Sequence, residues 1–206
     1  WRNRFLPAAG NAVFRSGWQD DARWLLLVAE SGAARKTLHD HVDGTSFTLA
    51  AYGEYLLIDP GYYKPNPTDN AVTADSASHN TLRIAGSGAP DKGLLVDFGD
   101  TDAQLVNTVD GEALAYAEAH QSYQQTDIER SVVFVRKRYF VVADRLATTV
   151  KTAREHSWRL GGWAGKDAGG VFDLWDCAGA ACGARWQRKL AGVDVHLAST
   201  APGLTV

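Results

Sequence analysis

The chain has 206 residues, 45% of them hydrophobic and 22% charged, a composition that excludes a disordered protein and leaves room for one large packed domain. Its formal net charge of −3 is spread without a block of like charges. That argues against a nucleic-acid or membrane surface built on bulk charge, the short Arg136-Lys137-Arg138 run aside. No apolar run is long enough for a membrane-spanning helix, and the start carries no signal-peptide pattern. There is no methionine and the chain begins at Trp1, so the sequence reads as a segment of a longer protein.

Strand signals dominate in chain order. WLLLVAE (24–30), TSFTLAAYG (45–53), EYLLID (54–59) and HNTLRIAG (79–86) are short runs closing near Gly, Pro or Asp. GLLVDFG (93–99), AQLVNTV (103–109) and EALAYAEAH (112–120) follow, the last alternating as well for a strand as for a helix. SVVFVRKRYFVVADRL (131–146) predicts a hairpin turning at RKR. EHSWRL (155–160), VFDLWD (171–176), ARWQRKL (184–190) and VDVHLAS (193–199) complete the series. With strands about ten residues apart and no strand–helix rhythm, the pattern predicts an all-β fold, a large antiparallel β-sandwich over residues 1–206. YKPNPTDNAVTADSAS (63–78) is the longest stretch without periodicity, the kind of loop that often carries function. Cys177 and Cys182 flank AGAA and could close a small disulfide or remain two free thiols.

The chemistry gathers at strand ends. In TLHDHVDGTSFTLA (37–50), His39, His41 and Asp43 occupy alternate positions, which an extended strand would place on one face. EYLLIDPG ends a strand at Asp59 before a Pro-Gly turn, and His79 and Asn80 open the next predicted strand. Neighbouring strands could therefore converge His41, Asp59 and His79, two imidazoles and a carboxylate that suit Zn²⁺ with a fourth position left over. Hydrogen-bonded strand-end histidines with no metal are the plainer alternative. A cupin-like metal oxygenase also uses His-x-His on a β-fold, but it needs a Glu soon after the second His. Here the first Glu after His41 is Glu54.

HDHVDGTSFTLAAYGEYLLIDPGYY and SASHNTLRI together resemble the heparinase II/III-like polysaccharide lyases. The shared pattern is His-x-His-x-Asp, a strand, Gly-x-x-Leu-Leu-x-Asp-Pro-Gly, a loop, and Ser-x-x-His-Asn-Thr. ERSVVFVRKRYFVVADRL (129–146) and EHSWRL are similar to that family's Arg-led hairpin ending in Asp-Arg and its following His strand. The likeness covers about residues 10–160 and fades after Gly161.

The resemblance implies the β-sandwich region of an enzyme whose α/α toroid would precede it. It implies β-elimination on an anionic, uronic-acid polysaccharide such as heparan sulfate or alginate. By motif position His41, Asp59 and His79 would bind a structural zinc, His39 would face the substrate, and Tyr63 (or Tyr62) would be a cleft tyrosine. Asp43 and Asn80 would support them. A substrate of that kind implies a periplasmic or secreted protein. The toroid would supply further cleft residues, so the segment alone is expected to be inactive. A zinc-stabilised carbohydrate-binding module without catalysis is the alternative.

Overall fold

The computed structural model describes residues 3–32, 41–61, 71–90, 101–151, 154–156, 171–178, 181–187 and 190–198. Strands β1 (Arg4–Leu6), β2 (Asn11–Arg15), β3 (Trp24–Val28), β4 (Phe47–Ala51) and β5 (Glu54–Leu57) form one antiparallel sheet in that order. After a four-residue helix α1 (Ala71–Ala74) and strand β6 (Leu82–Ile84), strands β7 (Gln104–Asp110), β8 (Leu114–Tyr123), β9 (Thr126–Val135) and β10 (Tyr139–Thr148) form a second sheet, ordered β10-β9-β8-β7. Strand β11 (Arg154–His156) pairs with β6, and β12 (Val171–Ala178), β13 (Ala181–Gln187) and β14 (Gly192–Ala198) make a third meander. All named pairings are antiparallel, and the fold is the expected all-β sandwich. Among the described residues, no helix is long and apolar enough to cross a membrane.

Period-two alternation builds the core. Ala12 and Phe14 of β2, Leu25 and Leu27 of β3, and Phe47 and Leu49 of β4 turn inward from the first sheet. They meet Ala115, Ala117 and Ala119 of β8 and Val132 and Phe134 of β9. Small alanines on one layer make room for large rings on the other, so the faces interdigitate as close packing requires. Phe134 stacks on Phe140 at 4.2 Å between centroids, and Phe14 meets both edge-on at 6.4 and 6.3 Å. A register shift at Leu49/Ala50 against β5 leaves Leu56 out of the ladder, so the consecutive Leu56 and Leu57 are both buried. Such bulges bend a strand end, here the one that leads into Asp59.

A smaller cluster lies beside this core: Leu82, Ile84, Ala89, Tyr123 and Ile128, with Val42 and Leu146 packed against it. Tyr123 donates its hydroxyl to the Leu82 carbonyl at 2.7 Å and thereby ties β6 to the second sheet. Burial pushes its phenol up to about 12, against the opposing influence of Arg130 and Arg83. In the unfolded chain the phenol ionises near pH 10, so the unfolded state loses this proton first. Ionisation of Tyr123 should therefore leave stability unchanged below about pH 10 and lower it between about pH 10 and 12, by up to about 3 kcal/mol. Tyr123→Phe should flatten that alkaline decline in a pH series of denaturant melts. A decline of the same size in the variant would show that the phenol is not its source.

Several sequence expectations are corrected in detail. The segment predicted as a strand carrying His41 and Asp43 is a bend and turn from 41 to 46, closed by Ser46 N–H donating to the Asp43 carbonyl at 2.8 Å, and the strand starts only at Phe47. His79 and Asn80 do not open a strand. They follow a 3-10 turn at Ser76–Ser78, and β6 begins at Leu82. EALAYAEAH resolves as strand from Leu114 on, in β8, with a bend at Glu112 and Ala113. Strands β1 and β2 and the β8–β9 hairpin go beyond the predicted elements. Of the stretch 63–78, residues 71–78 hold α1 and the 3-10 turn, and the remainder lies outside the described residues. GLLVDFG, residues 157–160 of EHSWRL, and the side chains of Cys177 and Cys182 also lie outside them.

Candidate functional site

Three chain segments meet beside the smaller cluster. The first is the turn at 41–46, whose Val42 N–H donates to the Ala74 carbonyl of α1 at 2.8 Å. The second is the end of β5, where Asp59 Oδ1 accepts from Gly61 N–H at 2.9 Å and so closes the Asp-Pro-Gly turn on itself. The third leaves the 3-10 turn, which is capped by the Asp75 carboxylate accepting from Ala77 N–H at 2.7 Å and delivers His79 inward.

Asn80 and Thr81 fasten these segments together. Asn80 is fully buried, and its amide nitrogen donates to the carbonyls of Phe47 at 2.7 Å and Ile58 at 3.0 Å, bridging the start of β4 and the end of β5. Its backbone N–H donates to Ser46 Oγ at 3.2 Å. Thr81 Oγ1 donates to the Gly44 carbonyl at 2.7 Å. Asn80→Ala should cost about 2 kcal/mol in a denaturant melt, because it strips one buried and one half-buried carbonyl of their donor at once. A loss below about 0.5 kcal/mol would mean that water replaces the amide without penalty.

The fastening brings the predicted ligand set together. His79 Nδ1 and Asp59 Oδ2 are 2.7 Å apart, and the His41 and His79 rings lie 5.2 Å apart between centroids. One possible ligand atom from each of His41, Asp59 and His79 lies within 4.8 Å of the others. Burial acts to lower the pKa of His79, but the Asp59 carboxylate, with Asp43 and the Thr73 backbone, more than offsets it and holds the pKa above the ordinary histidine value. Burial acts to raise the Asp59 carboxyl. The bond and charge of His79, the Gly61 N–H and His41 outweigh that, and its pKa falls below the usual range. Burial and the facing charge of His79 lower His41, with Asp59 opposing. Asp43 therefore reaches the site through its charge on His79.

The residues fit a metal by a specific sign. His79 is 0% exposed, and its buried Nε2 makes no hydrogen bond of ordinary geometry, the Thr73 backbone lending the ring only weak support, a costly state for a polar atom inside a protein. A cation beside it would satisfy that nitrogen, and two imidazoles with a carboxylate form a zinc-type donor set. A second group, Glu118, His120 and Glu129, lacks this sign. Its Glu118 already accepts from the Tyr116 hydroxyl, from Asn107 at 3.2 Å and engages His120 at 2.7 Å, while Glu129 is taken by Arg145.

His39, Tyr62 and Tyr63 lie outside the described residues. Sequence reasoning gave no role to Arg130, which leads the β9–β10 hairpin, or to Thr45. Arg130 is 0% exposed on the inward face of β9, between Ile128 and Val132. The alternation Ile128, Arg130, Val132, Phe134 carries the signal, since a charge on that face must find partners. Thr45 is a fully buried, β-branched residue at φ 62°, a strained backbone that persists only where surroundings impose it.

Residues 1–200 match the family described as "Heparinase II/III-like, C-terminal". The chain is 26% identical over 171 residues to the heparin-sulfate lyase of Pedobacter heparinus, covering 83% of this chain and 24% of that protein. It superposes on the crystal structure of heparan sulfate lyase HepC from Pedobacter heparinus with a TM-score of 0.67 at 23% identity, covering 90% of this chain and 29% of that one. The crystal structure of a heparinase III gives a TM-score of 0.66 at 17% identity, with 94% and 33% covered. At such identities the structural likeness speaks for the fold. The chain spans about a quarter of the length of the curated relative it matches.

Proposed function

The chain belongs to the heparinase II/III-like C-terminal family, and on that footing we propose that it is the β-sandwich part of a polysaccharide lyase that cleaves uronic-acid polymers by β-elimination. The observation carrying the proposal is the convergence of His41, Asp59 and His79, with one ligand atom of each within 4.8 Å of the others, on the motif that the family match covers. Bound among these side chains, zinc would supply a fixed positive charge that pins three loop segments in register, a structural part rather than a chemical one.

The residues of the chain have the rest of the work. The C5 proton of a uronic acid lies next to a carboxylate and is only weakly acidic, so elimination needs that charge neutralised, a base at C5 and an acid at the leaving O4. His39, two residues before His41, is proposed to face the sugar. Tyr63, four residues after Asp59, is proposed to exchange protons with it, with Tyr62 the nearest substitute. Asp43 and Asn80 hold the turn and ligand strand ends that would orient them. Further cleft residues are assigned to a preceding toroid domain, and a heparan sulfate- or alginate-like polymer is the proposed substrate. The proposed setting, periplasmic or secreted, follows from that substrate.

The test is uronide-unsaturation absorbance with the full-length protein on heparan sulfate and alginate. His39→Ala and Tyr63→Phe should each lower kcat at least a hundredfold, on the order of a lost general acid or base, while leaving zinc content and melting unchanged. Turnover unchanged in both variants would favour a zinc-stabilised carbohydrate-binding module instead. The segment by itself should show no turnover.

A further inference from the structure

The two histidines of the cluster sit on segments that a single side chain from the opposite sheet holds together. Arg130 projects from β9 into the interior, fully buried. Its Nε and Nη2 donate to the two oxygens of Asp144, each at 2.7 Å, across the β9–β10 register in which these residues are directly paired. Its Nη1 donates to two backbone carbonyls at once, Thr45 and Asn80, each at 2.8 Å. Thr45 lies in the turn that begins at His41, and Asn80 directly follows His79. The Phe47 ring lies 5.4 Å from the guanidinium carbon and closes the remaining side.

The geometry makes a purely space-filling role insufficient. Two carbonyl oxygens within 2.8 Å of one nitrogen converge, and with no cation between them their dipoles repel. Arg130 turns that repulsion into a clamp, and Asp144 fixes the clamp's angle through a two-pronged pair whose planar fork no lysine reproduces. Thr45 holds its left-handed backbone against this same guanidinium. The contacts of Asn80 and Thr81 also join the segments, but they arise from the segments themselves. Arg130 references them to the rigid second sheet.

We infer that Arg130, anchored by Asp144, is a positioning residue that sets the spacing of His41 and His79 from the opposite sheet of the sandwich. For metal binding the inference rests on the zinc reading above; for the spacing itself it rests on the hydrogen bonds alone. A metal-ligating pair whose backbone spacing is fixed in this way binds tightly because little is left to order, and outer supports of this kind are worth about 10–100-fold in affinity.

The experiment compares Arg130→Lys with Phe14→Leu in the full-length protein. Phe14 is a buried residue of the main core, packed on Phe5, Phe134 and Phe140, and it serves as a control for general destabilisation. Amide exchange is read at 44–46 and 79–81 against the β7–β8 amides, and zinc affinity by competition with a chromophoric chelator. Arg130→Lys should speed exchange selectively at the two segments and weaken zinc about tenfold or more, whereas Phe14→Leu should do neither. Should Arg130→Lys fail to fold, Asp144→Asn keeps the guanidinium, loosens its anchor, and should show the same local pattern in milder form. Exchange rising evenly across the sandwich, or zinc weakening equally in the Phe14 control, would reduce Arg130 to an ordinary core residue and overturn the inference. If the wild type binds no zinc but the exchange effect stays local, the metal reading fails and the positioning role stands.

Discussion

Arg130→Met should cost about 3–5 kcal/mol in a denaturant melt, as much as truncating a buried core aromatic. The methionine fills similar volume, so the loss comes from what is left behind. Asp144, 8% exposed, loses its guanidinium partner inside the protein, and two buried carbonyls lose their shared donor. Against a total stability of roughly 5–15 kcal/mol, that is enough to unfold a marginal domain at body temperature. The partner's contribution can be separated. Arg130→Met with Asp144→Leu removes the stranded charge and should recover part of the loss, as paired replacement of buried ions often does. Recovery should be incomplete, because the Thr45 and Asn80 carbonyls still lack the guanidinium that donates to both. Full recovery would mean that the clamp on the two carbonyls contributes nothing. A cost under about 1 kcal/mol for the single variant would mean that water reaches Asp144 after all.

Removing the proposed metal should be the second large effect. A zinc ion that binds the folded chain and not the unfolded one stabilises by mass action, about 4 kcal/mol when free metal exceeds Kd a thousandfold. A strong chelator should therefore lower the melting temperature of the full-length protein, and added zinc should restore it. His79→Ala should melt as low as the chelated wild type or lower and should not respond to chelator. In that variant Asp59 also loses its imidazole partner, so burial would act on its carboxyl with less opposition. A chelator shift of the same size in wild type and His79→Ala would place the relevant metal elsewhere.

The alternating strands were legible because a half-buried sheet needs period two, and WLLLV or FTLAA shows it without ambiguity. The hairpin between β9 and β10 was legible for the same reason. The β8–β9 turn was not: Gln124 and Gln125 take φ of 49° and 55°, a left-handed pair for which Asn and Gly are the usual markers. The turn at 41–46 defeated the strand reading through contacts far away in sequence. Thr81 holds the Gly44 carbonyl across 37 residues and Arg130 the Thr45 carbonyl across 85, and local propensity carries no trace of either. The predicted ligand set was accessible because Asp-Pro-Gly and Ser-x-x-His-Asn-Thr mark turns with their own chemistry. His79 reaches the cluster from a 3-10 exit rather than a strand, so the residue was legible and its support was not. Arg130 was readable in principle, one charged residue in an inward series of Ile, Val and Phe.

The central claim is that His41, Asp59 and His79 hold a metal. Elemental analysis of the purified full-length protein, wild type beside His41→Ala, tests it most directly. The account predicts about one zinc per chain at a four-coordinate structural site in the wild type and its loss in the variant. Equal zinc in both proteins, or none in either, would contradict it and leave His79 and Asp59 as a half-buried hydrogen-bonded pair.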